Sequence, residues 1–224
     1  MLQVSGGQLI GRENELARLV ALLQQAAAGE PVVALVSGDA GIGKTRLIAE
    51  LAAQAAKREF TVLSGRCAEL GDSVPYLPLA DALRDATTGP SADGALLDAL
   101  ATRPVLSRLL PDRGSSGQPG GDVPGMAQQQ LFGAVLGMLA EIAADRPVLL
   151  ILEDMHWADR STRDLLTFLS RVLHRERVAV IATYRTDDLH RSHPLRGVVG
   201  ELLRLPSVTA IELGRSPIRP WRST

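Results

Sequence analysis

The sequence predicts an α/β fold in three layers, a parallel sheet with helices on both faces. Three observations carry that prediction. Short aliphatic runs alternate along the chain with amphipathic stretches of helical spacing, the pattern of successive βαβ units. The first run leads directly into GDAGIGKT, Gly38 to Thr45, and a later one, VLLIL, ends in two adjacent acids, Glu153 and Asp154.

The elements follow in order. Leu16, Leu19, Val20 and Leu23 recur at helical spacing, so Glu13 to Ala28 reads as an amphipathic helix closed by Gly29 and Pro31. VVALVS, Val32 to Ser37, is a β-branched apolar run bounded by Pro31 and Gly38, and reads as a buried strand. Lys44 to Lys57 has helix-forming composition, and Thr61 to Ser64 reads as a second strand. Two helical stretches follow, Pro78 to Ala86 and Ala95 to Leu100. Pro111 to Gly125 is rich in Gly, Pro and Ser and reads as a flexible loop. Helical spacing returns with Leu131, Val135, Met138, Leu139 and Ile142, and Arg146 and Pro147 lead into a third strand, Val148 to Leu152. Ser161 to Arg175 is amphipathic, Val178 to Thr183 is a fourth strand, Leu195 to Leu205 is a helix and Val208 to Leu213 a fifth strand. No internal repeat is evident. One domain over 1–213 is expected, followed by an atypical tail, 214–224, with two prolines and three arginines in GRSPIRPWRST.

Composition narrows the function. With 46% hydrophobic residues the 224-residue chain can bury a sizeable core. Lys and Arg number 24 against 25 Asp and Glu, so no overall basic footprint favours direct DNA binding. The single cysteine, Cys67, rules out an intrachain disulfide and reads as a small apolar residue after the second strand. No signal peptide and no apolar run long enough to span a bilayer are evident, so a cytoplasmic protein without membrane contact is expected.

GDAGIGKT satisfies G-x-x-x-x-G-K-[ST]. In that motif the glycines let the backbone curl until successive N–H groups point at phosphate oxygens, and the next helix presents its positive end to the same anion. Gly38, Asp39, Ala40, Gly41, Ile42 and Gly43 form the cradle, and Arg46 follows in the first turn of the helix. Lys44 meets the β- and γ-phosphates of a nucleotide, and the Thr45 hydroxyl ligates Mg²⁺. The plainer alternative is a glycine turn with an exposed lysine, but a strand before and a helix after favour the cradle.

Carboxylates beside a buried strand need a cation or hydrogen-bond donors. Mg²⁺ supplies one, since it takes one or two carboxylates together with phosphates. By position Glu153 takes the metal and Asp154 orients or deprotonates an attacking water. The reverse assignment stays open, because adjacent strand residues point to opposite faces. Asp159 precedes RSTRDLL and reads as a helix cap. Trp157 reads as a packing anchor, His156 as a loop hydrogen-bonder, and His190 and His193 as residues of a solvated loop rather than zinc ligands.

IGRENEL, GDAGIGKTRL, LLILEDMHWAD and IATYRTDD together resemble the AAA-like ATPase domain of STAND proteins, the signal-transduction NTPases with numerous domains. The resemblance is specifically to the N-terminal module of large ATP-binding regulators of the LuxR type. It implies a P-loop NTPase sheet of order 5-1-4-3-2, with ATP or ADP and Mg²⁺ as cofactors. It also implies that Arg12 lies near the adenine and that Arg185 reads the γ-phosphate, whereas without it Arg185 is equally well a solvated loop arginine. In such regulators ADP holds a closed state, and an inducer with ATP releases one competent for assembly. Self-association, or association with full-length relatives, is the implied partnership. The chain is expected to be truncated, since it stops where the family continues into a winged-helix domain. A P-loop kinase acting on a small acceptor and a non-catalytic interaction fragment are the alternatives.

Overall fold

The computed structural model describes residues 11–69, 74–88, 94–110 and 124–214. Five strands and seven helices alternate as α1 (Glu13–Ala27), β1 (Val32–Gly38), α2 (Lys44–Ala56), β2 (Thr61–Arg66), α3 (Leu77–Thr87), α4 (Gly94–Ala101), α5 (Pro124–Asp145), β3 (Val148–Glu153), α6 (Arg160–Val172), β4 (Val178–Arg185), α7 (Pro194–Leu202) and β5 (Val208–Leu213). Single 3-10 turns cover Pro104–Leu109 and Met155–Trp157. Of the expected loop 111–125, residues 111–123 lie outside the described residues, and Pro124 and Gly125 instead open α5. Of the expected tail, only Gly214 is described.

Several boundaries differ from expectation. β2 and β4 each run two residues further, to Arg66 and Arg185, because their polar ends still pair with neighbouring strands. Strand hydrogen bonding continues as long as a partner strand does, whatever the side chain. α6 ends at Val172 rather than Arg175, since Leu173 takes an extended conformation and is buried. α7 closes at Leu202, three residues early.

The sheet is wholly parallel in the order β2-β3-β4-β1-β5, the expected order read from the opposite edge. β1, β3 and β4 occupy its interior, and every residue of β1 and β3 is buried. Their aliphatic runs are therefore unbroken, as sheets covered on both faces require. Edge strand β5 buries Ile211 and Leu213 while Ala210 and Glu212 are exposed.

Strand alternation divides the core in two. Ala34, Val36, Leu149, Ile151, Ala179 and Ile181 pack beneath α1 and α2 with Leu19, Leu23, Leu47 and Leu51. Val33, Leu35, Leu150, Leu152, Val180 and Ala182 face the other way, against α3 to α7. Each fully buried leucine contributes about 1.5–3 kcal/mol. One close approach fixes α3 on β2: a Cβ built on Gly65 would lie 1.7 Å from the Pro78 carbonyl oxygen. Glycine at that position is what lets the helix start against the strand.

Candidate functional site

The carboxyl ends of β1, β3 and β4 converge, and β1 turns into the glycine loop there. Gly41 and Gly43 take φ values of 71° and 99°, and a Cβ on either would meet no heavy atom within 4 Å. At these two positions glycine serves the left-handed backbone and not space, whereas a Cβ on Gly38 would lie 3.0 Å from Ile42 Cγ2 and from the Leu213 carbonyl oxygen. α2 begins at Lys44, so the amides of its first turn open toward the loop.

Lys44 is buried and folds back under its own loop, Nζ donating to the carbonyls of Gly38 at 2.6 Å and Asp39 at 2.8 Å. Burial holds the lysine below its usual pKa, and Arg185 adds to this, while Asp187, Asp154 and Asp39 oppose it. Thr45 and Arg46 are exposed in the first turn of α2.

The segment after β4 is laced to the loop. Gly38 and Arg185 are register partners, so the strand end carrying the arginine lies beside the loop's first residue. Thr186 Oγ1 donates to Asp39 Oδ1 at 2.8 Å, and the Ala40 amide donates to Asp187 Oδ2 at 3.3 Å. That amide bond is the leading cause that depresses the Asp187 pKa, with Lys44 and Arg185 assisting. A carboxylate therefore uses an N–H of the anion cradle.

Glu153 is the last residue of β3 and is buried. By alternation from Leu149 and Ile151 it shares the face of the sheet that carries α2 and Thr45. Arg66 lies opposite it in register and places Nη2 3.3 Å from both carboxylate oxygens. Arg66 Nε is also 3.5 Å from Asp154 Oδ2. The two acids that Mg²⁺ was expected to receive are thus met by a guanidinium. Both Glu153 contacts are long, so the carboxylate keeps acceptor capacity for a cation. That carboxylate and the Thr45 hydroxyl are both hard oxygen donors, the ligand chemistry that Mg²⁺ takes.

Asp154 leaves the strand at φ 58°, its amide donating to Thr183 Oγ1 at 3.1 Å. This left-handed turn takes Asp154 out of the strand alternation and starts the 3-10 turn that carries His156 and Trp157. Asp159 caps α6 as expected, accepting from the Thr162 amide at 3.1 Å, and also accepts from the Tyr76 amide at 3.3 Å. Trp157 is half-buried against the larger core. His193 caps α7 through the Leu195 amide at 3.2 Å. Cys67 is buried directly after β2.

His156 is buried, and burial first of all holds its imidazole below the usual histidine pKa. Neither ring nitrogen has a hydrogen bond, and neither has Asp188 Oδ2, which lies 3.4 Å from Nε2. An unsatisfied buried polar group costs about 1–3 kcal/mol. Arg12 is buried too and joins three parts of the chain, with Nη1 2.8 Å from Glu15 Oε1 and Nη2 donating to Ile42 O at 3.3 Å and Gly214 O at 2.6 Å.

Arg12, Lys44, Asp154 and Arg185 are thus brought into one neighbourhood with the glycine loop. Arg66, Asp187 and Asp188 were not singled out from the sequence. The signal for Arg66 is the pairing register of β2 with β3, for Asp187 the adjacency of β4 to β1, and for Asp188 that of β4 to β3.

A parallel sheet of this order with a glycine loop after β1 is the P-loop NTPase architecture. The chain belongs to the AAA ATPase domain family, whose profile matches residues 8–181. It is 31% identical over 208 residues to an uncharacterized protein of Rhizobium meliloti (strain 1021), an alignment covering 85% of this chain and 20% of the relative. The chain thus spans about a fifth of that relative's length. Among solved structures, Cdc6p from Pyrobaculum aerophilum superposes with a TM-score of 0.54 at 16% identity, covering 95% of this chain and 48% of that one. That likeness is one of fold. AMPPCP-bound DnaA from Aquifex aeolicus aligns with a TM-score of 0.42 at 14% identity, covering 91% of this chain and 46% of that one. Among the described residues no helix is long and apolar enough to cross a membrane.

Proposed function

We propose that the chain is an ATP- and ADP-binding switch module with slow, Mg²⁺-dependent ATP hydrolysis, of the kind found in LuxR-type transcriptional regulators. The observation that carries this reading is the placement of Lys44, buried beneath the glycine loop with Arg185, Asp187 and Asp154 around it. A terminal phosphate entering the loop replaces the Gly38 and Asp39 carbonyls as the partner of Nζ. It also exchanges the Asp187 carboxylate for its own oxygens at the Ala40 amide.

In this reading the amides from Asp39 to Gly43 and the start of α2 hold the phosphates. Thr45 and Glu153 would hold Mg²⁺, which would supply neutralisation of phosphate charge. Asp154 orients or deprotonates the attacking water, and Arg185 stabilises charge on the terminal phosphate. Arg12, hydrogen-bonded to the loop carbonyl of Ile42, stands at the base side of the nucleotide. The loop's own contact with the segment after β4 supports switching over fast turnover, because nucleotide must displace internal partners before it is fully held. Assembly with further copies or with longer relatives is the output in this reading.

Equilibrium binding of labelled ATP and ADP to the wild type and to Lys44→Ala tests it. Both nucleotides should bind the wild type, and the substitution should weaken them at least about tenfold, the effect of about 1.4 kcal/mol. Negligible binding by both proteins refutes the reading. Glu153→Gln should lower Mg²⁺-dependent binding, while Asp154→Asn should spare binding and slow hydrolysis; the opposite pattern reverses their roles.

A further inference from the structure

Two cationic or donor groups approach one carboxylate oxygen beside the phosphate loop. Asp188 Oδ2 lies 3.4 Å from His156 Nε2 and 3.8 Å from Arg185 Nη1, and it is buried without a hydrogen bond. The imidazole is 1% exposed at its side chain, and both of its nitrogens are likewise unbonded. The backbone on both sides is fixed. His156 follows β3 in the 3-10 turn Met155–Trp157, and Asp188 follows the end of β4 by three residues. The charges that reach His156 are those of Asp154, Asp188, Arg185 and Lys44, the groups that surround the cradle.

Both partners of Oδ2 are too distant for a good bond, and a small movement of the Asp188 side chain is enough to close either one. From this geometry we propose that His156 and Asp188 are positioning residues for Arg185, and that they determine how strongly the chain prefers a nucleoside triphosphate to a diphosphate. The inference rests on the reading of Arg185 as the residue that meets the terminal phosphate. With a diphosphate bound, the guanidinium stays with Asp188. A terminal phosphate draws Arg185 away, and the carboxylate oxygen left behind is taken up by the Nε2–H of the neutral imidazole. Without that donor, moving Arg185 leaves the buried Oδ2 with no partner, although the rest of the Asp188 side chain reaches solvent, so the triphosphate complex is the one penalised. His156 touches no nucleotide atom in this scheme; it acts through Asp188.

The test is the ratio of ATP to ADP affinity, measured by calorimetry on the full chain for the wild type, Lys44→Ala, Arg185→Ala, His156→Ala, His156→Gln, Asp188→Asn and the His156→Ala/Arg185→Ala pair, with thermal unfolding run alongside. His156→Ala should lower the ratio about five- to tenfold. His156→Gln, which retains an N–H donor, should restore most of it, and His156→Ala should have no further effect in the Arg185→Ala background. Should His156→Ala fail to fold, Asp188→Asn carries the test with a smaller change of volume: with no anion left behind when Arg185 moves, the ratio should rise, and a fall overturns the inference. A parallel loss of ATP and ADP affinity, an unchanged ratio, or additive effects in the pair overturns the inference. Lys44-dependent binding with an unchanged ratio overturns this inference alone, whereas absence of Lys44-dependent binding overturns it together with the nucleotide-binding reading.

Discussion

Arg66 ends β2 directly opposite Glu153 at the end of β3, and its guanidinium reaches both oxygens of that buried carboxylate at 3.3 Å. The arginine side chain is 48% exposed and the glutamate's 6%, so the pair is one buried anion held by a cation from the solvent side. Arg66→Gln should therefore destabilise the nucleotide-free chain by about 1–3 kcal/mol, toward the lower end because solvent screens the guanidinium. Urea unfolding measures this. Mg²⁺ and ATP should narrow the difference, since a bound cation satisfies the same carboxylate; an equal gap with and without them refutes that linkage.

Asp187 accepts from the Ala40 amide, the same N–H that a bound phosphate would use in the proposed reading. Asp187→Ala removes both the competitor and a negative charge, so ATP and ADP should bind about two- to fivefold more tightly at low salt. The gain should shrink as ionic strength rises. Calorimetry at two salt concentrations checks this, and weaker binding by the variant would show that Asp187 supports the loop instead of blocking it.

Asp159 serves two elements, capping α6 through Thr162 and holding the start of α3 through Tyr76. Asp159→Ala should cost about 1–2 kcal/mol, the upper range for a helix cap. Asp159→Asn, which keeps an acceptor oxygen, should lose less. A shift of melting temperature by the alanine variant no larger than that of the asparagine variant would place the stabilisation elsewhere.

Burial, followed by the charges of Asp159, Asp154 and Asp81, pushes the Cys67 thiol up to about 12. The folded value lies above the unfolded one of roughly 8.5. The protonated thiol's contribution is therefore intact below the unfolded value and is lost as pH climbs toward the folded one. Native protein at pH 8 should resist iodoacetamide and react only when unfolded in urea. From pH 8 to pH 11 the stability of Cys67→Ala should gain on that of the wild type; parallel decline would contradict the sign.

Local pattern was enough for most of the fold. The aliphatic runs of β1, β3 and β4 are readable because both faces of the sheet are covered, which removes the need for polar alternation. GDAGIGKT is readable because its backbone conformation demands glycine at Gly41 and Gly43. Arg66 was not readable in the same way. Nothing in TVLSGR marks its last residue as a partner for Glu153 until the register of two strands separated by more than eighty residues is known. The pairing of Asp188 with His156 likewise depends on β4 lying next to β3, followed by two turns that bring the side chains back toward each other. The end of α6 departs from its sequence pattern for a different reason. Helical spacing persists in VLHR, but burial of Leu173 in the core outweighs it.

Arg12 gives the molecule a mechanical property. Its planar guanidinium is bonded to the carbonyl of Ile42 inside the phosphate loop and to that of Gly214 just past β5, two points far apart along the chain. A pull on the backbone at Gly214 is borne by this rigid plane as well as by the edge pairing of β5, and it is delivered within one side chain to the loop. The phosphate loop and the end of β5 are therefore held by the same guanidinium, so a displacement at one is passed to the other within a single side chain.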